Sequence, residues 1–432
     1  MAAAPVPVSE AVAALRPTDT LGIPLGPGIP SGFMHALGTR DDWEDLTVFG
    51  ALLVDLYSVF TQPGVRYLSG FFGPAERFLR DQGARVEFMP ADFRRFTRIA
   101  ERLAPRVCAT VASPPNADGF CSLSLHAGAT VAELHRCAAD PDRVLVVETN
   151  PRFPRTIGLP DHPHRVHLDE IDLWVENDTE PFVLADDEPT DVDRAIAEHV
   201  RPFIADGSTL QTGIGGIPST VVQLLAEGDG GDYGVHSEMF TTGLMRLHQA
   251  GKVTNRHKGQ FPGMSITTFA AGTAELYSWL DSNEEVRFLP VDVVNAPEVI
   301  AANRNMVTIN GALRIDLLGQ VVADSIDGRQ FSGIGGHEDF VSATGLELED
   351  RSFVCLPSTA TPGGGPAVSR IVASLEPGAT ITTPRHQLDL VVTEWGVAHL
   401  RGHTVHERAV ALAAIAHPDH RDELMAAAER MR

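Results

Sequence analysis

GSTLQTGIGGIPSTVV, residues Gly207–Val222, places a Thr-Leu pair ahead of a glycine-rich loop, and the loop ahead of a proline suited to a first helical turn. The apolar positions Val221, Val222 and Leu225 then recur at helical spacing. The same grammar occurs once more, nearer the start of the chain. There Thr20-Leu21 precedes Gly28-Ile29-Pro30-Ser31 and the apolar Phe33, Met34 and Leu37, an offset of 216 − 28 = 188 residues. A repeated strand, loop and helix start predicts two related α/β domains. Open sheets of this kind bind ligands at loops beyond the strand ends, so we expect the loops of both halves to meet at a shared cleft.

The surrounding sequence agrees. Short β-branched runs, Leu46–Leu52, Val107–Val111, Val144–Val147, Val286–Leu289 and Leu388–Thr393, alternate with helical periods. A helix is predicted over Asp191–Ile204, where Val192, Ile196, Val200 and Ile204 repeat every four residues behind the capping candidate Thr190. The acidic, proline-containing run Ala185–Pro189 just before it reads as a linker. We therefore expect an N-terminal domain over 1–188 and a C-terminal domain over 189–432.

Composition narrows the function. The 432 residues carry 57 acidic and 34 basic side chains, a net charge of −23, and are 43% hydrophobic. That excess of acid opposes a nucleic-acid partner, which needs a dense basic footprint. No apolar run approaches the length of a membrane span, and the first residues lack the basic start of a secretory signal. The four cysteines, Cys108, Cys121, Cys137 and Cys355, show no CxxC spacing and fit reduced thiols in a cytoplasm. Lys252 and Lys258 are the only lysines, so an anionic ligand falls to arginines, Arg385 and Arg401 among them, and to backbone N–H groups.

Several local patterns invite chemistry, and most have plainer explanations. Gly213, Gly215 and Gly216, and Gly333, Gly335 and Gly336, form loops through which backbone amides can approach an anion or oxyanion, but Pro218 breaks the dinucleotide fingerprint. His162, His164 and His167 read as a solvated loop rather than a metal site. Ser265 is half of a nucleophile elbow without its second glycine. Ser113–Gly119 reads equally as a turn between elements and as a loop shaping the cleft. Glu238, in GVHSEMF, sits among small and apolar neighbours where desolvation can make a carboxylate a nucleophile or base.

Taken together, the motifs resemble the acetyl-CoA hydrolase/transferase family. GSTLQTGIGGIPSTVV, GVHSEMF (Gly234–Phe240), NMVTINGALRIDLLGQVVADSIDG (Asn305–Gly328), SGIGGHEDF (Ser332–Phe340), VVTEWGVAHLRG (Val391–Gly402) and IAHPDHRDEL (Ile415–Leu424) follow the family's order. In the first half, SPPNADGFCSLS (Ser113–Ser124) and ETNPRFPRTIG (Glu148–Gly158) fit as well.

The resemblance implies two tandem CoA-transferase-like open-sheet domains with the active site between them, and Glu238 as the catalytic residue. It also implies CoA binding by Gly213, Ile214, Gly215, Gly216, Ile217, Gly333, Gly335, Gly336 and His337. The implied reactants are an acyl-CoA and a short-chain carboxylic acid such as acetate or 4-hydroxybutyrate. Coenzyme A is then a substrate, no cofactor or metal is needed, and the base rate of symmetric assemblies suggests a homo-oligomer, a dimer first. An acyl-CoA hydrolase on the same scaffold and a non-catalytic acyl-CoA sensor are the alternatives. His337 departs from the pattern, since the family usually has Gln after the second glycine loop. Two smaller departures are Asn116, where an acid is common, and Gly363-Gly364-Gly365.

Overall fold

The computed structural model describes residues 4–186, 188–345, 347 and 349–432. The chain forms two compact units. One comprises residues up to 185 together with 266–294, and the other comprises 186–265 together with 295–432.

The first unit is built on seven strands, β1 (Thr18–Leu25), β2 (Asp45–Ala51), β3 (Val65–Ser69), β4 (Arg85–Phe88), β5 (Val107–Ala112), β6 (Val144–Thr149) and β7 (Leu173–Glu176). They lie in the order β4-β3-β2-β1-β5-β6-β7, and every neighbouring pair is parallel. All six residues of β5 are buried, as a central parallel strand covered on both faces requires. Strand order reverses between β1 and β5. There the turn Gly26–Gly28 leaves β1 and leads into helix α1 (Ser31–Leu37), which buries Phe33, Met34 and Leu37. Tyr57, Phe60 and Tyr67 pack in the same core, the Phe60 and Tyr67 ring centroids 4.6 Å apart.

The second unit repeats the scheme. Its strands are β8 (Thr209–Thr212), β9 (Gly234–Val235), β10 (Met306–Gly311), β11 (Arg351–Cys355), β12 (Leu390–Thr393) and β13 (Gly396–His399). The order is β9-β8-β10-β11-β12-β13, parallel except for the edge pair β12 and β13. Order reverses between β8 and β10, and the Gly213–Gly216 loop leaves the sheet at that point. Helix α2 (Asp191–Val200) precedes the sheet, helix α3 (Gly216–Glu227) follows the loop, and helix α4 (His337–Ala343) follows the second glycine loop.

Most sequence expectations land within a residue or two. Thr190 caps α2: its hydroxyl accepts from Asp193 N at 3.1 Å while the Asp193 carboxylate accepts from Thr190 N at 3.0 Å. The helix stops at Val200 rather than Ile204, because Pro202 brings no N–H and the chain tightens into a 3-10 turn over Arg201–Phe203.

The division into two continuous halves differs from the compact units, since Ile266–Val294 belongs with the first. Its backbone explains why: Ala127 N donates to Thr268 O at 2.8 Å, Ala270 N to Leu125 O at 2.8 Å and Phe288 N to Ile157 O at 2.9 Å. Among the described residues, no helix is long and apolar enough to cross a membrane. The four cysteines are buried free thiols.

Phe33 is fully buried in the first unit's core. We expect Phe33→Ala to lower unfolding free energy by roughly 3–5 kcal/mol, read from denaturant melts of the full chain.

Candidate active site

Glu238 follows the two-residue edge strand β9, and side chains hold that strand in place. Val235 N donates to Asn255 Oδ1 at 2.8 Å, and the buried Lys258 Nζ donates to Val235 O at 2.7 Å and to Met264 O at 2.8 Å. A Cβ on Gly234 would come within 2.6 Å of Lys258 Cγ, so glycine is what lets the lysine stem pass. One residue before the glutamate, Ser237 Oγ donates to Thr212 O at 3.1 Å and accepts from Thr212 N at 3.3 Å. Thr212 ends β8 and precedes Gly213. Glu238 is thereby tied beside the start of the first glycine loop.

The carboxylate itself meets Asn295 and Gly336. Asn295 Nδ2 donates to Glu238 Oε2 at 2.6 Å and to Asp339 Oδ2 at 2.9 Å. Gly336 presses against the same oxygen so closely that a Cβ would overlap Glu238 Oε2 and lie 2.6 Å from Asn295 Nδ2. Burial pushes the Glu238 carboxyl up to about 8; the Asn295 amide opposes that rise and the Asp339 charge adds to it. A desolvated carboxylate is poorly solvated when ionised, which is the condition for nucleophilic use of a weak nucleophile.

The glycine loops divide their labour. Gly215 takes φ +118°, a conformation only glycine adopts readily, and there is open space where a Gly213 side chain would stand. Ile214 between them is 56% exposed, and Ile217, in the first turn of α3, is buried. Gly216 has a packing reason to be glycine, for a Cβ would stand 2.6 Å from the Asp193 carboxylate of the α2 cap. In the second loop Gly333 is buried, Gly335 takes φ +56° and Gly336 faces Glu238. His337 opens α4, with its Nε2 2.8 Å from Thr383 Oγ1.

Other residues singled out in the sequence are occupied elsewhere. Arg401 Nη2 pairs with Asp389 at 3.3 Å. Ser265 is fully buried, its Oγ 2.9 Å from His248 Nε2 and 3.0 Å from Asn255 Nδ2. His164 is buried with Nε2 2.8 Å from Ser124 O, and no metal-holding group of three or more His, Cys, Asp or Glu occurs among the described residues. Asn116 accepts from Phe120 N at 2.8 Å and closes its own turn. Asn295 and Thr383 carry no motif and go unnoticed in the sequence; Asp339 lies inside SGIGGHEDF but gives no sign of its contact with Asn295.

With this geometry in view, comparison with known proteins is decisive. The chain is 36% identical over 427 residues to succinyl-CoA:cyclohexane-1-carboxylate CoA transferase of Geobacter metallireducens, covering 98% of this chain and 94% of that one. The chain belongs to the acetyl-CoA hydrolase/transferase family. The model of that family's C-terminal domain matches residues 272–428. Identity is also 36% to 4-hydroxybutyrate coenzyme A transferase of Clostridium kluyveri, over 91% of this chain and 92% of that one. The crystal structure of RipA from Yersinia pestis superposes with a TM-score of 0.89 at 31% identity, covering 99% of this chain and 97% of that one. The two open-sheet units are thus the acetyl-CoA hydrolase/transferase fold.

The raised Glu238 carboxyl has a consequence for stability. Folded, the group holds its proton up to about 8, whereas its ordinary value is 4.5. Between those values the folded state binds more protons, so this group's contribution falls as pH rises and levels off above about 8. In Glu238→Gln that decline should vanish, leaving the variant more stable than the parent at pH 9 and nearer to it at pH 5. Thermal unfolding at the two pH values checks this, and a pH-independent difference would contradict the raised carboxyl.

Proposed function

We propose that this protein is an acyl-CoA:carboxylate CoA-transferase in which Glu238 is the nucleophile. The observation that carries the reading is the Glu238 carboxylate, held by Asn295 at 2.6 Å, flush against Gly336 and beside the first glycine loop. CoA-transferase names among relatives of nearly the same length support it.

Ionised Glu238 attacks the thioester carbonyl of a short-chain acyl-CoA; a C–O bond forms, the C–S bond breaks and the electron pair leaves on sulfur. The product is a mixed anhydride and CoA thiolate. The thiolate then attacks the glutamyl carbonyl, releasing the first carboxylate and leaving a Glu238–CoA thioester. A second carboxylate, such as acetate or 4-hydroxybutyrate, attacks that thioester and runs the two steps backwards. Thioester energy is conserved, and the exchange requires no metal or cofactor.

Each attack places negative charge on the oxygen of the carbonyl being attacked. The N–H groups of Gly335 and Gly336 are our candidates for stabilising it, a role in which one donor contributes roughly 3 kcal/mol. The first glycine loop, Gly213–Ile217, is our candidate for receiving the CoA chain, because its backbone is open to approach at Gly213 and Gly215. Positioning supplies much of the remaining acceleration, since a carboxylate attacks poorly unless held near its target.

Acetyl-CoA incubated with the protein and no acceptor should leave a CoA thioester on the peptide containing Glu238, visible by mass spectrometry and absent from Glu238→Ala. That variant should lose transfer by at least about a thousandfold while unfolding cooperatively. Turnover should climb with pH toward about 8 as the carboxyl ionises. Full transfer activity in Glu238→Ala would end the proposal.

A further inference from the structure

His337 is fixed in one tautomer by a chain of three side chains. The Thr383 hydroxyl donates to Glu338 Oε1 at 2.6 Å, and the same Oγ1 stands 2.8 Å from His337 Nε2. A hydroxyl has one hydrogen. With that hydrogen on a carboxylate, which only accepts, Oγ1 must accept from the ring; the imidazole proton therefore sits on Nε2 and the lone pair on Nδ1. Thr383 cannot easily turn away. It is fully buried, its N–H donates to Val321 O at 3.2 Å, and the neighbouring Thr382 hydroxyl donates to Asp324 Oδ1 at 2.6 Å. Burial pushes the imidazole down to about 4, so it stays neutral and the lone pair stays available near neutral pH.

Nδ1 meets no hydrogen-bond donor among the described residues, and His337 directly follows Gly336, which faces Glu238. In the transfer cycle the groups that meet at the reacting carbon are a carboxylate, a thiolate and a thioester carbonyl. All of them accept hydrogen bonds, and none brings a hydrogen for Nδ1. A locked acceptor on the residue after Gly336 fits instead a reactant that brings an O–H.

We infer that His337 Nδ1 accepts the hydrogen of an O–H-bearing reactant at the Glu238 site, which makes His337 a specificity-determining residue. The inference rests on the proposed glutamyl chemistry. One source of the O–H is a hydroxyl on the acceptor acid. The other is water. In that case Nδ1 takes a water proton while the water oxygen bonds to the glutamyl carbonyl carbon. The C–S bond then breaks with its electron pair on sulfur, the proton on Nδ1 passes to the thiolate, and Glu238 is left as its carboxylic acid, which ionises. The net change is thioester plus water to acid plus thiol.

The test compares wild type with His337→Phe, His337→Gln, Thr383→Val and Thr383→Ser. The readouts are CoA transfer from acetyl-CoA to butyrate and to 3- and 4-hydroxybutyrate, and CoA release with no acceptor. His337→Phe removes the acceptor and Thr383→Val removes the lock. Each should lower kcat/KM for hydroxy acids, or acceptor-free release, roughly tenfold more than transfer to butyrate. Thr383→Ser keeps the hydroxyl and should restore the wild-type ratio; His337→Gln retains an amide oxygen and should fall between.

Loss confined to hydroxy acids assigns the hydroxyl to the acid, and loss confined to acceptor-free release assigns it to water. Equal losses with every acceptor and in release overturn the inference. So does a change only in KM for acetyl-CoA, which would mean that Nδ1 serves an amide of the CoA chain. If His337→Phe fails to unfold cooperatively, the Thr383→Val and Thr383→Ser pair decides. Persistent CoA release in Glu238→Ala would sink the glutamyl reading separately, whatever the His337 ratios show.

Discussion

One amide nitrogen holds two carboxyl groups together. Asn295 Nδ2 reaches Glu238 Oε2 and Asp339 Oδ2 at once, and without it two acidic side chains would lack their shared donor. Burial keeps the Glu238 carboxyl high, and the Asp339 charge adds to that rise. Everything else in the site follows from keeping that contact in register: the clamp of Asn255 and Lys258 on Val235, the Ser237 stitch to Thr212, and the absence of a side chain at Gly336.

The clamp answers a problem of topology. Strand β9 is two residues long and lies at a sheet edge, where little ladder bonding fixes it. Side chains replace the missing ladder: an amide takes the Val235 N–H, and an ammonium stem, itself placed by Gly234, takes the carbonyl. The central strands β8 and β10 need no such help, since each is paired on both sides. Side-chain bonds thus hold the strand that leads into Glu238.

Much of the fold was legible because its signals are local. The Thr-Leu, glycine loop and proline pattern marks a strand, a turn and a helix start wherever it occurs, and both copies lie at the point where their sheet reverses order. The Thr190 cap was readable for the same reason. Glu238 was different: its neighbours alone scarcely distinguish it from the other acids, and the family resemblance singles it out. Asn295 and Thr383 were not legible at all, because their partners lie 57 and 45 residues away and no spacing rule connects them. The single boundary at 188/189 missed the return of Ile266–Val294 to the first unit, since an excursion of that kind leaves no compositional mark.

That excursion has a bearing on assembly. The chain supplies Glu238, departs into the first unit, and only then returns with Asn295, so the carboxylate and its amide are delivered by separate passes. During synthesis the glutamate leaves the ribosome well before its hydrogen-bond donor, and no single cut yields two fragments that each keep a whole unit.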